Sequence, residues 1–97
     1  MKQDEIVEIG IDDLDRLYIK PKREKFTMIH RSAAKVRWDK RYLFLYSQKS
    51  INWSHLDWYK HITSLIKVDY QCQLNLTDKT LWVNVSESLK TEIEAVP

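Results

Sequence analysis

The run SHLDWYKHITSLIKVDY at residues 54–70, followed by QCQLNLTDKTLWVNV at residues 71–85, decides the fold class. In the first run the apolar spacing is helical. At about 100° per residue, Trp58, Tyr59, Ile62, Leu65, Ile66 and Tyr70 fall in one broad stripe, with Lys60, Ser64 and Lys67 opposite. Ser54 is a natural N-cap, and Asp57 three residues on places a carboxylate where free backbone N–H groups and the positive end of the helix dipole need one. In the second run the period changes to two: Cys72, Leu74 and Leu76 alternate with Gln73 and Asn75, and Leu81, Val83 and Val85 alternate with Trp82 and Asn84. Thr77-Asp78-Lys79-Thr80 between them reads as a turn, so the pattern predicts a hairpin after one long helix.

Upstream, Val7, Ile9 and Ile11 alternate with Glu8 and Gly10. Asp12-Asp13-Leu14-Asp15 turns the chain, and Leu17 and Ile19 alternate again until Pro21. That is a first hairpin. Residues 22–33 are ambiguous: Phe26, Ile29 and Ala33 fit a helical stripe and Phe26, Met28 and His30 fit a strand equally well, with a short helix or irregular segment preferred. From Ala34 the alternation of Ala34, Val36 and Trp38 with Lys35 and Arg37, a turn at Asp39-Lys40-Arg41 and the run Tyr42 to Tyr46 predict a second hairpin. The last run is apolar on both faces, which places its strand inside the sheet. Ser86 and Glu87 can open a short C-terminal helix through Ile93, whose thin apolar content predicts fraying. The expected architecture is α+β over residues 1–97 as a single domain: an antiparallel β-sheet of five to six strands built from hairpins, with one long α-helix packed on one face.

Ninety-seven residues with 43% hydrophobic and 31% charged side chains suit a globular chain with one core. A single glycine, Gly10, leaves nothing from which to build a phosphate cradle of the Walker or dinucleotide kind. Acidic residues Asp4 and Glu5 stand where a secretory leader would be apolar, and no run approaches the length of a membrane span, so the expected compartment is the cytoplasm. The lone Cys72 agrees with a reducing environment. The net charge of +2 conceals an uneven distribution. Residues 1–15 carry one lysine against Asp4, Glu5, Glu8, Asp12, Asp13 and Asp15, whereas residues 16–49 carry eleven Lys and Arg against Glu24 and Asp39. Two readings stay open: cross-strand cancellation between the acidic and basic strands, or a basic surface for an anionic partner.

Catalytic and metal chemistry find little support. His55 and His61 are six residues apart on one helix, about 600° or effectively opposite sides, and cannot share an ion. Asp57 and His61, at i and i+4, suit a surface pair rather than a catalytic dyad without a nucleophile. Cys72 heads a strand on its apolar side and reads as a small buried hydrophobe. Asp12, Asp13 and Asp15 lack the glycine and terminal glutamate of a calcium loop. No cofactor, no metal and no enzymatic activity are therefore expected. A cleft holding His30 or His55 beside a carboxylate would reopen the question of catalysis.

The aromatics say more. With Leu17, Ile19, Val36, Leu43, Leu45, Leu81 and Val83 placed under the helix, alternation sends Tyr18, Lys20, Lys35, Arg37, Tyr42, Phe44, Tyr46, Trp82 and Asn84 to the other face. Tyr18, Lys35, Arg37, Tyr42, Phe44, Tyr46 and Trp82 form the candidate binding surface. Rings and bases together fit a homodimer or partner-protein patch, since interface cores are rich in Tyr, Trp, Phe and Arg. They also fit single-stranded nucleic acid, whose bases stack on rings while phosphates meet Lys and Arg. The third option is that residues 22–33 cover this face.

Arg37-Trp38-Asp39, Leu45-Tyr46-Ser47, Trp53-Ser54-His55-Leu56-Asp57-Trp58-Tyr59 and Leu81-Trp82-Val83-Asn84-Val85 give the chain a general pattern that resembles small uncharacterised bacterial proteins carried on integron gene cassettes. Similar small α+β architectures occur among toxin-immunity proteins. The resemblance implies a bacterial cytosolic accessory protein, oligomeric, without established activity, and carries no functional residue over to this chain.

Overall fold

A computed structural model describes residues 1–32, 35–48 and 52–97. Ala33 of the anticipated helical stripe and Ala34, the anticipated first strand residue, lie outside the described residues. The elements in chain order are β1 (Lys2–Ile11), β2 (Leu17–Pro21), a 3₁₀ turn (Ile29–Arg31), β3 (Val36–Asp39), β4 (Phe44–Ser47), α1 (His55–Tyr70), β5 (Cys72–Asn75), β6 (Leu81–Val83) and α2 (Glu87–Glu94). The sheet order is β3-β4-β2-β1-β5, with β6 also on β1.

The first two hairpins form as the alternation requires, β1 with β2 and β3 with β4 both antiparallel. Antiparallel pairing of β4 with β2 seats the doubly apolar strand inside the sheet. The third hairpin does not form. β5 and β6 both run parallel to β1, so the sheet is mixed rather than antiparallel. Lys2 faces Cys72 and Glu5 faces Asn75, then Glu8 faces Leu81 and Gly10 faces Val83. Residues 76–80 are therefore an excursion between two segments that follow the same long neighbour, not a reversal. Thr80 closes the gap: its hydroxyl donates to the Ile6 carbonyl at 2.7 Å and accepts from the Thr77 N–H at 3.0 Å. A turn-forming tetrapeptide between two alternating runs carries no information on whether the chain reverses or continues, and the ten-residue β1 offers an edge for continuation.

The helix α1 is capped as its sequence demands. The Ser54 hydroxyl accepts from the Asp57 N–H while the Asp57 carboxylate accepts from the Ser54 N–H, a complete capping box. Asp57 is thereby committed to the helix start. Trp58, Tyr59, Ile62 and Ile66 are buried against the sheet, and Leu65 and Tyr70 pack at the margin. The helix ends at Gln71, left-handed at φ 51°, and the Gln71 carbonyl accepts from the Lys2 N–H at 2.9 Å, so the chain passes directly from α1 to the side of β1. A second helix stands where fraying was anticipated. α2 is held because Ser86 caps it through the Leu89 N–H and Ile93 is fully buried in the core.

Strand phase also departs from simple alternation. On β1 the core receives Ile6 and Ile9, not Val7 and Ile9, because Ile6 faces Pro21 and Glu8 faces Lys20, leaving Val7 as an extra bulged residue. Leu43 lies outside the strand, exposed at φ 61° at the end of the β3–β4 turn, where its N–H donates to the Asp39 carbonyl. Residues 22–32 line the same core as α1. Phe26 and Ile29 are buried there, Phe26 meeting Trp38 and Tyr70 edge-on at 6.0 and 5.2 Å. This segment is anchored by Asp4, whose buried carboxylate accepts the N–H groups of Arg23 and Glu24 at 3.0 and 2.8 Å.

Candidate interaction surface

The face turned away from α1 is built by a row of residues that crosses five strands. Cα pairing runs Val83–Gly10–Tyr18–Tyr46–Arg37. Gly10 is the only glycine of the sequence, and its place in this row explains it. A Cβ there would lie 2.5 Å from the Tyr18 hydroxyl and 2.6 Å from its ring, so the absence of a side chain lets Tyr18 lie flat on the sheet. Tyr18 donates to the Glu8 carboxylate at 2.7 Å and is roofed by Phe44, centroids 4.6 Å apart. Burial, reinforced by the Glu8 hydrogen bond and charge, drives the phenol well above its ordinary pKa. At 6% exposure Tyr18 floors the surface and offers no free ring. Gly10→Ala is expected to lift Tyr18 off Glu8 and destabilise the fold by about 1 to 3 kcal/mol, the usual cost of overpacking, read in a urea titration. An unchanged midpoint would show that the ring can move freely.

Tyr42 stacks on Phe44 at 6.1 Å and 15°, and Tyr46 meets Phe44 edge-on at 6.1 Å. Arg16 lies over the Tyr46 ring at 4.5 Å and is held by Asp12, Nε to Oδ2 2.8 Å. Arg41 lies over Tyr42 at 5.3 Å. Lys35 is exposed just ahead of β3, and Arg37 is half-buried within it. Asp12, Asp13, Asp39 and Val83 join Arg16, Tyr42 and Phe44 around an open groove of about 460 Å³. The strip is finished by exposed apolar side chains: Leu81 at 61%, Tyr42 at 53% and Val83 at 42%.

Of the anticipated surface residues, Lys35, Arg37, Tyr42, Phe44 and Tyr46 share this face, and Tyr18 lies beneath it. Trp82 does not belong to it. It faces the buried Ile9, packs on the core side and carries Lys90 over its ring at 5.5 Å. Leu81 and Val83, expected under the helix, stand exposed instead. The reason is the register with β1: Trp82 pairs with the inward Ile9, so Leu81 and Val83, paired with Glu8 and Gly10, fall on the opposite face. Asn84, also expected on this face, is left-handed at φ 56° and donates to the Ile11 carbonyl at 3.3 Å. Sequence reasoning missed Asp13, Arg16, Leu81 and Val83, the first two because turn residues carry no alternation.

A second cleft, of about 430 Å³, lies where the starts of both helices meet the β1–β2 turn. His55 there stands beside a carboxylate. Its Nε2 is 3.1 Å from the Asp15 carbonyl and 3.3 Å from the Asp15 carboxylate, with Glu92 on the same wall. The cleft thus meets the condition that keeps catalysis open, while its two hydroxyls, those of Ser54 and Ser86, accept helix N–H groups as caps rather than pairing with His55. His61 is elsewhere, in a ring cluster with Trp53 and Trp58, and His30 is exposed. Burial raises the pKa of the Cys72 thiol, with Glu24 and Asp4 adding to the effect. Among the described residues no group of three or more His, Cys, Asp or Glu is placed to hold a metal ion, and no helix is long and apolar enough to cross a membrane.

The fold and surface define a small α+β protein: among the described residues, a mixed six-stranded sheet carries two helices, with one sheet face left open. The family model for Integron Cassette Protein Hfx_Cass5 matches residues 4–80, and the chain belongs to that family. The solved structure of Integron Cassette Protein Hfx_Cass5, from the mobile metagenome of North West Arm Sewage Outfall, is 31% identical, covers 96% of this chain and 93% of its own, and superposes with a TM-score of 0.51. No curated protein matches the chain.

Proposed function

We propose that the protein is a non-catalytic interaction module of the bacterial cytoplasm that self-associates through its open sheet face. One observation carries this reading: Leu81, Val83 and Tyr42 are exposed and, with the half-buried rings of Phe44 and Tyr46, form one apolar strip, while residues 22–32 pack on the other side of the sheet. Large exposed apolar strips edged by charge mark interfaces on small proteins. Light scattering at micromolar concentration is expected to give twice the 11.7 kDa chain mass. Leu81→Glu and Val83→Glu are each expected to return the monomer, because a carboxylate would be buried in an apolar contact. A wild type that stays monomeric at high concentration overturns the reading.

Nucleic acid fits this face less well, since Asp12, Asp13 and Asp39 line the groove that Arg16 enters, and a phosphate chain would meet carboxylates there. A labelled single-stranded oligonucleotide is therefore expected to show no saturable binding even at low salt. Saturable binding that falls steeply between about 50 and 200 mM salt would assign the face to nucleic acid instead.

A further inference from the structure

The two turns that bound the open face differ in net charge: the β1–β2 turn carries Asp12, Asp13 and Asp15 against Arg16, and the β3–β4 turn carries Lys40 and Arg41 against Asp39. Ile11 pairs with Leu17 at one end of the strands, where the β1–β2 turn sets Asp13, exposed and facing the groove. Asp39 pairs with Phe44 at the other end, where the β3–β4 turn sets Lys40 exposed and Arg41 across the Tyr42 ring. Tyr18 opposite Tyr46 and Ile19 opposite Leu45 confirm that the two turns lie at opposite ends, because β4 runs antiparallel to β2. The aromatic strip lies between them.

From this arrangement we infer that the occupant of the open face is a second copy of the chain, packed about a two-fold axis that lies in the interface plane between the two turns. The inference rests on the self-association reading and adds its geometry. Such an axis turns one face onto the other, so that each protomer's Asp13 meets its partner's Lys40 and Arg41, and the contact occurs twice. The rings pack against rings in the centre. Charge complementarity of this kind rejects wrong partners and fixes orientation, which makes Asp13, Lys40 and Arg41 the specificity determinants of the interface.

A charge exchange tests it. Asp13 makes none of the turn's hydrogen bonds, which fall to Asp12, so Asp13→Lys leaves the β1–β2 turn intact. Asp13→Lys is expected to weaken the dimer at least about tenfold, because like charges then face each other twice. The double variant Lys40→Glu/Arg41→Glu is expected to do the same. An equimolar mixture of the two is expected to recover wild-type affinity as a heterodimer, both contacts being matched again, and urea midpoints of each variant alone verify its fold. If Val83→Glu dissociates the dimer while neither charge variant weakens it, the axis is wrong and the self-association reading stands. Weakening by both without recovery in the mixture also overturns the axis. A monomeric wild type overturns both.

Discussion

Ile62→Ala in the middle of α1 is expected to remove about 2 to 5 kcal/mol of stability, through lost apolar burial and the cavity left behind. Ile62 is fully buried between the helix and the sheet, as is Ile66 one turn on. A domain of this size holds about 5 to 15 kcal/mol in total, so the variant should lose a large share of its folded population under mild denaturant. Lys67→Ala, on the exposed side, should move the urea midpoint little. Leu65→Ala should fall between them, since Leu65 is only half-buried at the edge of the core. Equal losses from Ile62→Ala and Lys67→Ala would contradict the helix orientation.

Asp4→Asn is the second large effect, expected at about 3 kcal/mol, because it replaces a buried acceptor of charge-assisted hydrogen bonds. The carboxylate takes N–H groups from Glu5, Arg23 and Glu24, and the Arg23 guanidinium stands 3.5 Å away. Burial alone would raise its pKa. The three backbone N–H donors and Arg23 outweigh that and hold it below the ordinary carboxylate value. A lowered folded-state pKa means that the stabilisation is complete above the unfolded value of about 3.9 and is lost as pH falls through the folded value. Wild-type stability should therefore drop in strong acid by more than that of Asp4→Asn, whose curve lacks this component. Parallel acid unfolding curves for the two proteins would show that Asp4 contributes nothing through its charge.

How much was legible beforehand follows from which signals are local. The capping box at Ser54 and Asp57, the stripe from Trp58 to Tyr70 and the two N-terminal hairpins are short-range patterns, and each forms, with β4 beginning at Phe44 rather than Tyr42 and a bulge at Val7. The direction of residues 72–83 is a long-range matter, settled by their pairing with β1 some seventy residues earlier. Nothing in Thr77-Asp78-Lys79-Thr80 announces it. The open face was legible where strands alternate, at Arg37, Phe44 and Tyr46. It was misread at Trp82, whose phase depends on that same pairing. The role of Asp4 was invisible because its partners, Arg23 and Glu24, contribute backbone N–H groups that no side-chain pattern encodes.

The bulge at Val7 and the excursion at residues 76–80 occur at the same level of the sheet, one on each flank of β1. Before that level the inward residues are even-numbered on both strands, Asp4 and Ile6 on β1 and Cys72 and Leu74 on β5, with Asp4 paired to Leu74; after it β1 turns odd, with Ile9 inward beside Trp82. The sheet behaves there as a crystal does across a dislocation, regular on both sides with one surplus row ending inside. Val7 is the end of that row on β1, and the Thr77–Thr80 loop accommodates the mismatch on the neighbouring strand. Length changes in this protein are thus absorbed along one line: a residue gained or lost within 76–80 leaves both blocks in step, whereas one gained or lost within Ile9–Ile11 throws the second block out of phase with Leu17, Ile19 and Trp82 together.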